Sequence, residues 1–351
     1  MIYVSLIVAF FAAIILTPLV KRLAFRIGAV DAPNYRKVHA RIMPRLGGLA
    51  IFGAFMIAFL FLKLTTGFER DYVYAILIAA TIIVITGIID DMREISAKAK
   101  MLGQVVAACI IVFVGGIQIT EINLPFGGDL EFGWLSIPIT LLWIVGITNA
   151  INLIDGLDGL AAGVSTIALI TLAGMAMIMG NGIAIAMASI LAAATIGFLF
   201  FNFHPAKIFM GDTGALFLGF MIAVLSLLGF KNVAFISFVI PVIILGVPIS
   251  DTFFAIVRRL RNKQKWSDPD KSHLHHRLLD LGFSHRQTVL VIYVLAAMFG
   301  LVAVIFSMST QWGAILIIAV LLVAIELFVE VIGLAGKNYK PLLNLVRIFN
   351  K

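Results

Sequence analysis

Tyr72-Val73-Tyr74-Ala75-Ile76-Leu77-Ile78-Ala79-Ala80-Thr81-Ile82-Ile83-Val84-Ile85-Thr86-Gly87-Ile88-Ile89 runs without a charge and ends directly on Asp90-Asp91. A bilayer's hydrocarbon core needs ~20 apolar residues in helix to cross it, so this stretch reads as a membrane span. The paired acids then sit where that span meets water. The same pattern, an apolar run closed by charge or by turn residues, recurs along the chain. Runs near 2–24, 47–65, 100–116, 134–151 and 159–179 share it, as do 183–201, 214–230, 234–250, 287–307 and 313–334. With 72–89 they predict an all-α polytopic membrane protein of about eleven transmembrane helices.

Composition agrees. Of 351 residues, 62% are hydrophobic and only 13% charged, with a mean hydropathy of +1.11. A soluble domain is nearer half apolar and a quarter charged. Eleven spans leave little room for an extramembrane domain, so residues 1–351 read as one integral membrane domain, and no internal repeat or linker divides it. Placing the N-terminus outside puts 23 of the 26 basic residues on one face, leaving Lys63, Arg70 and Lys231 on the other. By the positive-inside rule the basic face, with the C-terminus, is cytoplasmic. The first apolar run lacks a basic leader and a small-residue cleavage site, so it reads as a retained helix. On the outer side, Ile117–Leu124 and Asp129–Phe132 flank Pro125-Phe126-Gly127-Gly128 and predict a small β-hairpin, most simply a surface plug. The single cysteine, Cys109, falls within a span, which leaves no internal disulfide.

All six histidines and a set of aspartates fall in the predicted cytoplasmic loops, and four segments concentrate them. The first is Gly87-Ile88-Ile89-Asp90-Asp91 with Lys98 and Lys100 beyond. A lone Asp would read as a solvated helix end, whereas adjacent acids can share a proton, hold a cation or act as base. The second is Asn149-Ala150-Ile151-Asn152-Leu153-Ile154-Asp155-Gly156-Leu157-Asp158-Gly159. Its amides and carboxylates recur at three-residue steps and suit a hard cation, although the spacing is not that of an EF-hand. The third, His204-Pro205-Ala206-Lys207-Ile208-Phe209-Met210-Gly211-Asp212-Thr213-Gly214, leads into a helix. Asp212 there could be a simple N-cap or hold a metal-bridged phosphate, and the P-loop spacing is missing. The fourth lies in a long predicted cytoplasmic loop, 251–286, where the basic run from Arg258 precedes His273-Leu274-His275-His276-Arg277. The histidines could bind zinc, but no second ligand cluster accompanies them, and donation to a sugar diphosphate fits His and Arg better. Asp251, Glu326 and Glu330 are left without an assigned role.

Taken together and in this order, the four segments resemble the polyprenyl-phosphate N-acetylhexosamine-1-phosphate transferase family (glycosyltransferase family 4) over essentially the whole chain. The His-x-His-His-Arg form is similar to members that use UDP-N-acetylglucosamine rather than UDP-MurNAc-pentapeptide. Within the family the resemblance is strongest to initiators of the wall teichoic acid linkage unit, with O-antigen and common-antigen initiators next.

The resemblance implies a Mg²⁺-dependent transferase (Mn²⁺ as an alternative ion) in a bacterial plasma membrane. It would pass GlcNAc-1-phosphate from UDP-GlcNAc to undecaprenyl phosphate and release UMP. It implies catalytic roles for Asp90, Asp91 and Asp155, with either of the first two orienting or deprotonating the lipid phosphate. Asp212 and Asn152 would be metal ligands. Asp31, Arg45, Lys100, Asp158, Gly159, His273, His275, His276 and Arg277 would bind substrate. The expected partners are the two substrates and the lipid bilayer, with a homodimer left open and no nucleic acid. The rival class is a secondary transporter, which should instead place polar groups near the midplane of two related halves.

Overall fold

The computed structural model describes residues 1–31, 42–67, 70–123, 128–229, 236–261, 263, 272–336 and 339–349. Helix α1 (Ile2–Ile27) is followed by two short paired strands, β1 (Val30–Asp31) and β2 (Met43–Pro44), then by α2 (Gly47–Thr66) and α3 (Asp71–Arg93). Helix α4 (Ala97–Cys109) continues into a π-helical turn at Ile110–Val114. The predicted hairpin follows as β3 (Glu121–Asn123) and β4 (Asp129–Glu131), antiparallel with Ile122 opposite Leu130. Then come α5 (Ser136–Ile154), α6 (Leu160–Ile178), α7 (Gly182–Asn202) and α8 (Gly211–Gly229). The last third holds α9 (Ile236–Ile244), α10 (Gly246–Arg261), α11 (Leu274–Asp280), α12 (His285–Ser307), α13 (Gln311–Ile332) and α14 (Pro341–Phe349).

Ten helical stretches among the described residues are long and apolar enough to cross a membrane, and they coincide with ten of the predicted runs. The ninth run, 234–250, differs. It is broken after Ile244, and α10 restarts at Gly246 and continues to Arg261. Pro241 lies inside α9 and Pro248 in the first turn of α10, and each removes a backbone donor and crowds the preceding turn. Consequently the start of segment 251–286 is helix, with α11 further along it. Asp268, Asp270, Lys271 and Lys231 lie outside the described residues.

The packing follows the apolar pattern. In α1, Tyr3, Ile7, Phe11, Ile15 and Leu19 lie on one exposed face, while Ser5, Ala9, Ala13 and Thr17 are buried on the other. Large side chains at steps of four suit lipid, and small ones let α1 pack closely on α2 and α7. Helix α8 lies at the centre, with Leu216, Phe217, Phe220 and Met221 fully buried, and packs on α3 and α5. The ends of those three helices bring the acidic motifs together.

Candidate active site

The site is built at the first turn of α8. Gly211 adopts φ 72°, a left-handed conformation open to glycine at little cost. A Cβ there would lie 2.2 Å from the Arg45 carbonyl oxygen and 2.5 Å from Asp91 Oδ2, so the two segments approach as closely as they do only because it is absent. Backbone bonds complete the clasp: Phe209 N donates to the Pro44 carbonyl (2.9 Å), and Gly47 N and Gly48 N donate to the carbonyls of Phe209 (3.0 Å) and Met210 (2.8 Å).

Asp91, in the last turn of α3, spends both oxygens on this turn. Its Oδ1 accepts from Asp212 N (2.9 Å), and its Oδ2 accepts from Thr213 N (2.9 Å) and Thr213 Oγ1 (2.6 Å). A carboxylate fully buried at a helix N-terminus satisfies orphan donors and complements the dipole. The two neighbouring acids are therefore held differently. Asp90 Oδ1 accepts from Ile95 N (3.0 Å), and its Oδ2 pairs with Lys100.

Lys100 Nζ also lies 2.9 Å from Asp212 Oδ1, and Asn152 Nδ2 donates to that oxygen at 2.6 Å. Arg45 reaches Asp212 Oδ2 (3.4 Å), Asp91 (3.7 Å), Glu94 (3.8 Å) and Asp31 (4.0 Å). Burial disfavours the guanidinium charge, but these carboxylates more than offset it, so the pKa of Arg45 lies above its ordinary value. Asp155 follows the end of α5, and burial together with the charges of Asp212 and Asp91 pushes it up to about 8. Two cations, Arg45 and Lys100, thus face the carboxylates of Asp31, Asp90, Asp91, Glu94 and Asp212, with Asp155 beside them. That acidic surplus, made of hard oxygens, fits a divalent cation. The Asn152 carboxamide beside Asp212 could add an oxygen once turned, because amide orientation follows its partners.

Asn149, predicted on the same polar stripe as Asn152, is diverted. Its amide pairs with buried Gln104 on α4 (2.6 Å) and takes no part in the cluster. Beyond Asp155 the turn is held by Asp158, whose Oδ2 accepts from His204 Nδ1 (2.8 Å) and Ala206 N (3.1 Å). The rings of His204 and His285 stack at 4.1 Å. Each of Asp158, His204 and His285 brings one possible ligand atom within 4.8 Å of the others, but Asp158 Oδ2 already has two donors. Asp158 is thus satisfied, while the buried Nε2 of His285 has no hydrogen-bond partner among the described residues. The Gly159 carbonyl accepts from Tyr293 Oη on α12 (2.5 Å).

The histidine motif begins at the N-cap of α11. His273 is turned to buried Asp251 on α10 (Nδ1 to Oδ2, 2.8 Å), and the His273 and His275 rings lie parallel at 6.0 Å. They do not converge as zinc ligands would. His275 Nε2 occupies the space beside Gly156, 2.3 Å from where a Cβ would stand, so α11 docks on the turn between Asp155 and Asp158. Burial, with the neighbouring His276 in support, lowers His275 to about 3 and leaves it neutral at physiological pH. His276 packs against His275 at 4.2 Å. Arg277 Nε is buried and has no hydrogen-bond partner among the described residues, an open donor suited to an anion.

Residues 73–230 match the sequence profile of glycosyl transferase family 4. The chain is 51% identical over 342 residues to a "Probable undecaprenyl-phosphate N-acetylglucosaminyl 1-phosphate transferase" of Bacillus subtilis (strain 168), covering 97% of this chain and 94% of that protein. The chain belongs to glycosyl transferase family 4. It is also 36% identical to a decaprenyl-phosphate N-acetylglucosaminephosphotransferase of Mycobacterium tuberculosis (strain ATCC 25618 / H37Rv), over 92% of this chain and 87% of that one. A Yersinia pestis undecaprenyl-phosphate alpha-N-acetylglucosaminyl 1-phosphate transferase is 29% identical over 88% of this chain and 85% of its own length.

For this family member, the structure brings Asp31, Arg45, Asp90, Asp91, Lys100, Asn152, Asp155 and Asp212 into one cluster, with Asp158, Gly159 and His275 on the adjoining turn. Three contributors carried no role in the sequence reading. Thr213 and His204 stood inside quoted motifs without a function, and Asp251 was left, with Glu326 and Glu330, without an assigned role.

Proposed function

We propose that this chain transfers GlcNAc-1-phosphate from UDP-GlcNAc to undecaprenyl phosphate, giving undecaprenyl-diphospho-GlcNAc and UMP. The observation that carries the reading is the cluster in which Asp90, Asp155 and Asp212 surround Lys100 and Arg45, beside a helix that offers His and Arg donors. An oxygen of the lipid phosphate attacks the β-phosphorus of the nucleotide sugar, the bond from that phosphorus to the bridging oxygen breaks, and UMP leaves with the electron pair. Such a transfer needs positioning and charge stabilisation more than covalent help from the protein.

In this reading Asp212 and Asn152 would hold Mg²⁺, which when bound offsets the repulsion between the two anionic substrates. Lys100 and Arg45 bring positive charge to the same place, and Asp90, paired with Lys100, orients the lipid phosphate. Asp91 positions Asp212 through the first turn of α8. Asp155, buried just past the end of α5 beside Asp212, can accept or hold a proton there. Asp158 and Gly159 shape the nucleotide end, and His275, His276 and Arg277 face the sugar diphosphate. The site would open to the cytoplasm, with the N-terminus outside, the C-terminus inside and α9–α10 as an eleventh crossing. The basic charge distribution supports that orientation. The product would begin a cell-envelope glycopolymer, the wall teichoic acid linkage unit above all.

The test is UMP release by purified protein with undecaprenyl phosphate and Mg²⁺, comparing UDP-GlcNAc with UDP-MurNAc-pentapeptide. Turnover confined to UDP-GlcNAc is the expected result. Turnover confined to the pentapeptide donor would overturn the substrate assignment, and none with any UDP-HexNAc, alongside solute movement in vesicles, would favour a transporter.

A further inference from the structure

We propose that Asp251 is a positioning residue, one that fixes the ring and proton of His273 and so ties the histidine helix to the donor site. This rests on the functional reading above. Asp251 lies six residues beyond the break at Leu245, on a helix restarted at Gly246 with Pro248 in its first turn. It is only 1% exposed, and a carboxylate so buried is costly unless its oxygens are matched. Both are. Oδ2 receives His273 Nδ1 at 2.8 Å, and Oδ1 receives Leu274 N at 2.7 Å.

Leu274 is the first residue of α11, whose own N-cap, His273, makes no side-chain cap. Asp251 therefore supplies, from 23 positions earlier, the acceptor that starts this helix. Downstream on it, His275 presses against Gly156, and Arg277 closes the first turn through its bond to the His273 carbonyl (3.1 Å). The anchor consequently sets where the motif's donors stand relative to Asp155 and Asp158. Because Nδ1 donates to a carboxylate, Nε2 is the nitrogen left for another partner, the arrangement by which a carboxylate fixes an imidazole's orientation and tautomer.

Asp251→Asn separates the two functions. The amide oxygen can still accept from Leu274 N, but its NH₂ then faces His273 Nδ1 and favours the opposite tautomer. In UMP-release kinetics with full-length protein, kcat/KM for UDP-GlcNAc should fall roughly ten- to a hundredfold, the size typical when a carboxylate that orients a histidine is lost. His273→Ala should lose a similar factor, and the double variant should be no worse than His273→Ala alone. An Asp251→Asn variant within twofold of wild type, or losses that multiply in the double variant, would overturn the proposal. A second measurement needs no variant activity. In ¹⁵N-histidine spectra of the wild-type protein, with His273 assigned by its loss in His273→Ala, Nδ1 should carry a proton at neutral pH, and a bare Nδ1 would overturn it. If wild type releases no UMP while Nδ1 is protonated, the functional reading fails and the Asp251–His273 tie stands.

Discussion

Replacing Asp91 with alanine should unfold the start of α8 before it tests any chemistry. The Asp91 side chain is fully buried and is the shared acceptor for Asp212 N, Thr213 N and Thr213 Oγ1. Each buried donor stranded by its removal costs roughly 1–3 kcal/mol, and the three share one carboxylate, so their losses do not simply add. A total of about 3–5 kcal/mol is the consistent expectation. At ~2 °C per kcal/mol for a chain of this size, the melting temperature in detergent should fall by about 6–10 °C. Asp91→Asn keeps one acceptor oxygen and should fall by about half as much. Asp90→Ala forfeits one backbone partner, the pair with Lys100 and a contact with Asp212, so it should lose turnover while melting within a few degrees of wild type. Thermal unfolding followed beside UMP release separates the pair. An Asp91→Ala protein that melts like wild type would refute the capping role.

Two further outcomes follow from the other half of the site. Arg277→Ala removes a half-buried side chain whose buried Nε has no partner among the described residues, and the KM for UDP-GlcNAc should rise about tenfold, the loss of one charge-assisted hydrogen bond; an unchanged KM would place the motif away from the donor. His275 is lowered to about 3 when folded, against about 6.5 unfolded, so its stabilising contribution is complete above pH 6.5 and is lost as pH falls below it, by about 2 kcal/mol at pH 5. Melting curves of wild type and His275→Gln at pH 7 and pH 5 should show that extra acid loss in wild type alone, and parallel shifts would contradict it.

The spans were legible because each must carry enough uncharged residues to cross a bilayer, and ten helices coincide with their predicted runs. Helix ends were less so, since charge marks where water begins and not where the backbone stops being helical. Asp90 and Asp91 stand inside α3, and Asp212 inside α8. The break after Ile244 was obscured because the run stays apolar through it, although Pro241 and Pro248 were signals in plain view. The four motifs were readable as chemistry, but their division of labour was not. That division depends on contacts between residues far apart in sequence, such as Arg45 with Asp212 or Asp91 with Thr213. Asn149 shows the converse, since its three-residue step from Asn152 placed it with the site until Gln104, on another helix, claimed its amide.

The most direct test of the central claim follows the β-phosphorus. With UDP-GlcNAc labelled at the β-phosphate, undecaprenyl phosphate and Mg²⁺, the label should appear in the lipid product and unlabelled UMP should be released. Asp212→Asn, which removes the carboxylate bonded to Lys100 and Asn152, should abolish that transfer while the protein remains folded. Label leaving as UDP or as inorganic phosphate, or an Asp212→Asn protein turning over at a near-normal rate, would contradict it.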